Sequence, residues 1–261
     1  MPVVETKVER GVMTITLADE ARRNALSTEL TGELVAAFRA ADDDPAVRVV
    51  VLTNRGSVFC AGADLSARSS ESSGSSSSVP AAVTDPRQLF GHIRRSPKPF
   101  VGRIAGHCVA GGMGLAAACD ISVVVDDAKL GFTEVRVGVA PAVISVVCLP
   151  KMRSADARSA FLRGNRFTAA QAVEMGLVNT AVPRDELDAT VDAVVADLLA
   201  GSPAALAASK QLLERVPSMP VDDAFSWTSE LSAALFAGDD AQQGMRAYLE
   251  KRPAPWIPTP D

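Results

Sequence analysis

The sequence has little histidine: only His92 and His107 occur among its 261 residues. A metal site built from histidines is therefore not expected, because such sites commonly use two or three imidazoles. The four cysteines stand at positions 60, 108, 119 and 148 and follow no common metal-binding spacing. Because all four lie among small or apolar residues, we predict reduced, buried thiols and no metal ion.

Long apolar runs are also missing. No run reaches the ~18 residues expected of a membrane-spanning helix. The first five residues, Met1–Glu5, lack the basic-then-apolar pattern of a secretory signal, so we expect a cytoplasmic protein without a membrane partner. The net charge of −5 gives no general reason to bind nucleic acid, and an anionic ligand would need a local group of Arg and Lys.

A series of buried strands and helices is present instead, and it predicts an α/β fold. Two strands and a helix recur as the unit, rather than a simple alternation of strand and helix. The predicted strands are Val3–Val8, Val12–Leu17, Val47–Thr53, Phe100–Ile104, Ile121–Val125 and a short Val178–Val182. One predicted helix is capped by Ser27 or Thr28 and runs to about Ala41, and another covers Gly111–Cys119. From about Pro150 the predicted helices follow one another: Ser154–Leu162, Thr168–Met175, Glu186–Leu199, Pro203–Arg215, Val221–Phe236 and Asp239–Glu250.

Two segments depart from this regular pattern. The Ser-rich run Ser66–Ser78 buries too little to become ordered, and it is either a flexible cover or a tolerated surface insertion. The Pro-rich tail carries Trp256, which we expect to be exposed and to dock onto another surface.

Small residues in two stretches, Phe59–Leu65 and Ala110–Leu115, give the strongest indication of a site. In each stretch they stand where an apolar run ends and a helix can begin, which leaves backbone N–H groups unpaired. Two such groups from separate segments, when they converge, form a socket for an oxygen that becomes negative during a reaction. Small side chains leave room for a ligand carbonyl to reach the backbone.

Glu134 is the candidate acid/base. It stands in apolar company within Lys129–Gly138, where burial raises the pKa of a carboxyl and suits it to proton transfer. The alternative is a structural role, in which Glu134 pairs with Arg136 or caps a helix. Cys60 lies beside the proposed socket, but no His or Asp partner for a nucleophilic role is recognisable.

Six motifs occur in order along nearly the whole chain: Asn24-Ala25-Leu26, Phe59–Leu65, Gly106 with Ala110–Leu115, Cys119-Asp120-Ile121, Gly131–Glu134 with Gly138, and Glu250-Lys251-Arg252-Pro253. They resemble those of the crotonase family, also called the enoyl-CoA hydratase/isomerase superfamily. The resemblance implies a spiral of repeated ββα units over residues 1–200. It also implies a helical region over residues 201–261 that assembles homotrimers or dimers of trimers.

The same resemblance implies an acyl-CoA thioester as ligand, with no separate cofactor because coenzyme A is part of the substrate. The amides of Ala63 and Gly111 would hold the thioester carbonyl, and Glu134 would be the catalytic acid/base. The backbone from Ala63 through Asp64, Leu65 and Ser66 would lie along the adenine and pantetheine, and Lys251 would meet the CoA phosphates. Phe90, Phe132, Val139 and Ile144 would line the far end of the pocket.

Gly114 departs from the family's pattern. Hydratases of the family commonly use two glutamates; Glu134 matches the second, and the first falls at Gly114, which has no side chain. We expect hydration of a 2-enoyl-CoA with Glu134 as the single acid/base. The alternatives are Δ3,Δ2-enoyl-CoA isomerisation by the same residues and non-catalytic binding of acyl-CoA.

Overall fold

The computed structural model describes residues 2–64 and 85–257 of the chain. Its strands are β1 Val4–Glu9, β2 Val12–Leu17, β3 Val49–Asn54, β4 Val58–Cys60, β5 Phe100–Ile104, β6 His107–Val109, β7 Ile121–Val125, β8 Lys129–Gly131, β9 Arg166–Thr168 and β10 Thr180–Val182. Its α-helices are α1 Thr28–Asp43, α2 Pro86–Arg95, α3 Gly111–Ala118, α4 Ala142–Cys148, α5 Ser154–Arg163, α6 Ala169–Glu174, α7 Leu187–Ala200, α8 Pro203–Arg215, α9 Val221–Ala237 and α10 Asp239–Leu249. Short 3-10 helices lie at Glu20–Arg22, Glu134–Val137, Leu149–Lys151, Arg184–Glu186 and Val216–Ser218.

The larger sheet has six strands in the order β1–β2–β3–β5–β7–β10. β1 and β2 form an antiparallel hairpin, and every other pairing in this sheet is parallel. The hairpin turns at Arg10 and Gly11, whose φ angles are 47° and 83°. Such a turn matches the right-handed twist of the paired strands. All six residues of β3 are buried, as expected of a strand covered on both faces.

The smaller sheet has four strands in the order β4–β6–β8–β9. Successive strands of the chain alternate between the sheets: β3, β5 and β7 enter the larger one, and β4, β6 and β8 enter the smaller one. A helical segment follows each pair, so the predicted ββα repeat is confirmed. Because β4, β6 and β8 are parallel neighbours, the chain leaves all three at the same edge of the small sheet.

The small sheet is also what the sequence analysis missed. Each of its strands has three residues, which is too short for a periodic pattern to identify. Helices α2 and α4 were missed as well, and the predicted strand Val178–Val182 is shorter, Thr180–Val182. The Ser-rich run 66–78 lies outside the described residues.

A buried ion pair connects helix α8 to the larger sheet. The Lys210 side chain is 7% exposed, and its Nζ lies 2.7 Å from Asp120 Oδ2. The ammonium also donates to the backbone oxygens of Ile93 and Lys98, at 2.9 and 3.0 Å. Asp120 Oδ2 accepts a further hydrogen bond from the Phe100 amide at 2.7 Å. The motif around Asp120 therefore has a structural role, since it joins the start of β5 to α8.

The C-terminal tail packs against its own chain. The Trp256 indole is half-buried and donates to the backbone oxygen of Ala200 at 2.9 Å, while Arg48 donates to the oxygen of Trp256 itself. The indole ring covers Gly244, where a Cβ would lie 2.7 Å from it. The prediction that Trp256 is exposed and docks onto another surface is therefore corrected.

No single helix among the described residues is long and apolar enough to cross a membrane. By length and composition alone, the bent pair Arg184–Ala200 and Pro203–Ser218 would qualify when taken together, with 107° between its parts. The division into a core over residues 1–200 and a helical region over residues 201–261 stays a prediction.

Candidate active site

Three segments meet at the edge where the chain leaves the small sheet. Ala63 follows β4, Gly111 follows β6 and Glu134 follows β8. Because these strands are adjacent and parallel, with neighbours about 4.8 Å apart, the segments lie side by side in the same order. The carboxyl edge of parallel strands is where ligands commonly bind in α/β proteins.

The amides of Ala63 and Gly111 donate no hydrogen bond within the part of the chain that the structure describes. Gly111 is the first residue of α3, so its N–H has no partner in the helix. The two segments touch at Gly62, where a Cβ would lie 3.0 Å from the Gly111 nitrogen. Ala63 is exposed, and Gly111 is partly so, which leaves both segments accessible to a ligand.

Backbone geometry at this contact depends on small residues. Gly62 has a φ of 87°, a left-handed conformation that a residue with a side chain rarely adopts. A Cβ there would also lie 2.6 Å from the Ala110 Cβ. Ala110 itself has a φ of 51° and a ψ of −124° as it precedes α3. Such strained backbone away from glycine is often found at functional sites.

Glu134 opens the 3-10 helix after β8, and its side chain is half-buried. Its Oε2 is inaccessible to solvent and has no hydrogen-bond partner among the described residues. Burial raises the pKa of the Glu134 carboxyl above its ordinary value, while a backbone hydrogen bond opposes the rise. Glu134 forms no ion pair with Arg136 or with any other described residue. This carboxyl is suited to exchanging a proton with a ligand.

The place of the missing glutamate is filled by apolar side chains. A Cβ on Gly114 would lie 2.5 Å from Ile144 Cγ2 and 2.8 Å from Phe90 Cε1. Both side chains are buried, with Phe90 7% and Ile144 4% exposed. Helices α2 and α4 therefore press against α3 where a second carboxyl would have to begin. Glu134 is the only one of the two family glutamates that this fold can hold without rearrangement.

The other predicted ligand contacts are only partly described. Asp64 is half-buried beside Ala63, and Leu65 and Ser66 lie outside the described residues. Lys251 is exposed just after α10, with a φ of 52°. No hydrogen bond or ion pair in the described ranges links Lys251 to Ala63, Gly111 or Glu134.

The thiols are buried and free at all four cysteine positions, as predicted. Burial raises the pKa of Cys60 to about 12, so this thiol stays protonated and is a poor nucleophile. Phe132, predicted to line the pocket, is fully buried and contacts the rings of Phe161 and Phe167. Val139, by contrast, is 55% exposed near Glu134.

The motif Asn24-Ala25-Leu26 was quoted in the sequence analysis, but no role was assigned to these three residues. The structure places the segment 23–26 against the Ala63 loop. The Leu26 amide donates to the Gly62 oxygen at 2.7 Å, and the Ala61 amide donates to the Arg23 oxygen at 3.1 Å. The motif Asn24-Ala25-Leu26 was the only sign of this contact in the sequence. The contact itself joins residues more than thirty positions apart, which local patterns do not reveal.

Comparison with known proteins agrees with this architecture. The chain matches the family model described as enoyl-CoA hydratase/isomerase over residues 7–258. It is 34% identical over 243 residues to the enoyl-CoA hydratase EchA19 of Mycobacterium tuberculosis, a match that covers 91% of this chain and 90% of the relative. A crystal structure of an enoyl-CoA hydratase from Mycobacterium smegmatis superposes with a TM-score of 0.87 at 29% identity, covering 98% of this chain and 99% of that one.

An enoyl-CoA hydratase/isomerase from Marinobacter aquaeolei superposes with a TM-score of 0.90 at 25% identity, again covering 98% of this chain and 99% of the other. These matches extend over nearly the whole length of each protein. They confirm the crotonase-like α/β fold that the motifs predicted. The chain therefore belongs to the enoyl-CoA hydratase/isomerase family, the crotonase superfamily.

Proposed function

We propose that this protein is an enoyl-CoA hydratase that adds water to a 2-enoyl-CoA thioester or removes it in reverse. The observation that supports this most strongly is the set of three segments at one sheet edge. Two amides that donate to no described residue adjoin there, and beside them lies the half-buried Glu134 carboxyl, whose Oε2 has no hydrogen-bond partner among the described residues. Relatives named enoyl-CoA hydratase, such as EchA19, support the same choice.

In the proposed reaction, the amides of Ala63 and Gly111 donate to the thioester oxygen. When water attacks the β-carbon, the α-carbon and the carbonyl share the developing negative charge, and the oxygen becomes enolate-like. Donors fixed in the backbone stabilise that charge without having to reorganise. Removing one donor of this kind typically costs ~10²–10³ in rate.

Glu134 performs both proton transfers in this proposal. As carboxylate, it takes a proton from the attacking water while the new C–O bond forms. It then delivers a proton to the α-carbon on the same face, and the net result is addition of one water molecule. The raised pKa of the Glu134 carboxyl favours this role, because a group that both takes and returns a proton works best with a pKa nearer to neutrality.

Δ3,Δ2-enoyl-CoA isomerisation is the second candidate, and Gly114 is the observation that favours it. Phe90 and Ile144 occupy the space where a second carboxyl would help to hold water. One carboxylate suffices to remove an α-proton from a 3-enoyl-CoA and return it at the γ-carbon. The same two amides would stabilise the dienolate.

A single absorbance assay separates the candidates, because only the 2-enoyl thioester is conjugated. Hydration of crotonyl-CoA lowers the enoyl absorbance, whereas isomerisation of a 3-enoyl-CoA raises it. We expect hydration; isomerisation without hydration would select the second candidate. Tight binding without turnover of either substrate would instead show a non-catalytic acyl-CoA binder.

Glu134→Gln should abolish turnover while leaving acyl-CoA binding largely intact. Glu186→Gln is the matched control, because Glu186 is an exposed glutamate on another short 3-10 helix. Its turnover should equal that of the wild type. Undiminished turnover in Glu134→Gln would remove Glu134 from the mechanism.

We also propose that Lys251 meets the CoA phosphates, that residues 63–66 lie along the adenine and pantetheine, and that no separate cofactor takes part. The exposure of Lys251 and its lack of a carboxylate partner among the described residues support the phosphate contact. Lys251→Ala should weaken the binding of CoA more than that of dephospho-CoA, if the contact is to the 3′-phosphate.

Homotrimers, or dimers of trimers, are the proposed assembly. Helix α9 has no buried residue, and Phe225 and Phe236 on it are 69% and 63% exposed. On α10, Tyr248 is 84% exposed. Soluble monomers rarely expose large contiguous apolar patches, so we propose that further copies of this chain cover these helices. Light scattering after size exclusion would give the copy number directly, and a monomer would contradict the proposal.

A further inference from the structure

Asn24 has a buried amide side chain that forms hydrogen bonds with the turn after β3. The residue is fully buried and has a φ of 52°. Its Nδ2 donates to the Val58 oxygen at 2.8 Å and to the Arg55 oxygen at 3.2 Å. Its backbone amide donates to the Asp19 oxygen at 2.8 Å. Asparagine is among the few residues that tolerate the left-handed region, so side chain and backbone both suit this position.

The residues around Asn24 contact both members of the proposed amide pair. Arg23, before it, accepts a hydrogen bond from the Ala61 amide at 3.1 Å, and Leu26, after it, donates to the Gly62 oxygen at 2.7 Å. Leu26 also pairs with Ala63 as an isolated parallel bridge. On its other side, Leu26 Cδ1 lies 2.7 Å from where a Cβ on Gly111 would stand.

The segment 23–26 therefore lies against the loop that carries the Ala63 amide and against the residue that carries the Gly111 amide. We propose that Asn24 is a positioning residue that fixes this segment and, through it, the separation and direction of the two amides. The inference rests on the proposed function, because it assumes that the amides hold a thioester carbonyl. Errors of about 1 Å in such positions can cost about 10²-fold in rate. Loss of the Asn24 hydrogen bonds should therefore lower the rate.

The test reads the polarisation of the carbonyl directly, with butyryl-CoA labelled with ¹³C at the thioester carbon as the probe. Butyryl-CoA is saturated, so it binds without reacting by either candidate chemistry. Two hydrogen bonds from the amide pair should move the carbonyl stretch to lower wavenumber in the wild-type complex, as measured by infrared difference spectroscopy. Turnover of crotonyl-CoA and of a 3-enoyl-CoA is measured in parallel.

Two substitutions, Asn24→Asp and Asn24→Gly, remove the hydrogen bonds that Asn24 Nδ2 donates. The first keeps the size of the side chain and replaces the donor by an acceptor, and the second keeps the freedom to adopt the left-handed backbone. Asn54→Asp is the matched control. Asn54 is 8% exposed, and its Nδ2 donates to the oxygens of Arg55 and Gly56 in the same turn, but it has no bond to the segment 23–26.

We expect the Asn24 variants to lose at least half of the carbonyl shift and about tenfold to hundredfold in kcat, with KM changed by less than about threefold. The Asn54 variant should lose stability but keep the carbonyl shift and the kcat of its folded fraction. Full shift and full kcat in a folded Asn24 variant would overturn the proposal. So would an equal loss in the Asn54 variant, because the effect would then be that of a loosened turn.

Leu26→Ala provides a second route should the Asn24 variants fail to fold. It leaves the Asn24 hydrogen bonds in place and removes the contact with Gly111, so a reduced carbonyl shift is expected and an unchanged shift would overturn the proposal. The wild-type protein alone tests the proposed function, independently of the Asn24 variants. If wild-type protein binds butyryl-CoA without any carbonyl shift, the amide pair itself is refuted, and Asn24 has nothing to position.

Discussion

Gly114→Ala tests whether the space beside α3 is filled as the structure shows. In an ordinary exposed helix position, replacing glycine by alanine stabilises a protein by about 1 kcal/mol, because the unfolded chain loses conformational freedom. At Gly114 the new methyl group would meet Ile144 Cγ2 at 2.5 Å and Phe90 Cε1 at 2.8 Å. Neither atom is the free end of a flexible chain, since one is on a branched Cβ and the other on a buried ring.

Overpacking of a core by one methyl group costs about 1–3 kcal/mol. Set against the helix gain of about 1 kcal/mol, the free energy of unfolding of Gly114→Ala should fall by about 0–2 kcal/mol. Urea unfolding at equilibrium measures this difference. Gly114→Glu should be less stable still, so restoring the family's first glutamate by one substitution should not restore a second catalytic carboxyl.

Gly32→Ala is the matched control, because Gly32 lies in helix α1 with nothing within 4 Å of the added Cβ. It should gain up to about 1 kcal/mol of stability. Ile144→Ala should offset the cost of Gly114→Ala, so the double variant should be more stable than the sum of the two single effects predicts. If Gly114→Ala is stabilised as much as Gly32→Ala, the apolar filling described here is wrong.

Three other side chains, Glu134, Lys210 and Arg48, allow further tests. Glu134→Gln should raise the free energy of unfolding at neutral pH, because burial raises the pKa of the Glu134 carboxyl and its charged form therefore destabilises the fold. This gain should be complete above the folded-state pKa and should vanish as the pH falls to the unfolded-state pKa. Urea titrations of wild type and variant at several pH values would show whether their free energies of unfolding converge at low pH. Lys210→Met should cost about 2–4 kcal/mol, because it leaves the Asp120 carboxylate without its ion pair, and part of that loss should return in the double variant with Asp120→Asn. Arg48→Ala should release the tail at Trp256, which carboxypeptidase digestion would detect as faster removal of the C-terminal residues; an unchanged rate would show that Arg48 does not hold it.

Local sequence signals were sufficient for the longer elements. Strands β5 and β7 begin and end at the predicted residues, and Ser27 caps α1 through a hydrogen bond from the Leu30 amide at 3.1 Å. The predicted site residues Ala63, Gly111 and Glu134 follow three adjacent strands. The resemblance to the family placed these residues together, because the short strands that precede them were not predicted.

Contacts between distant segments could not be predicted from local sequence signals. The three-residue strands of the small sheet exist because neighbours from other repeats pair with them. The filling of the space at Gly114 depends on Phe90 and Ile144, which come from two helices that the sequence analysis did not identify. The hydrogen bonds of Asn24 to Arg55 and Val58 likewise cross more than thirty positions. In each case tertiary packing, rather than local propensity, determines the structure.

In the proposed active site, three successive repeats each contribute one group, which follows the repeat's strand in the small sheet: β4, β6 or β8. The first two contribute only main-chain amides at Ala63 and Gly111, and a point mutation cannot delete a main-chain amide other than by proline. The third contributes a side chain, Glu134, which one nucleotide change can replace. A lineage built on this spiral can therefore exchange its reactive group while the two amides proposed to hold the thioester are kept, so new chemistry need not be accompanied by a new way of binding.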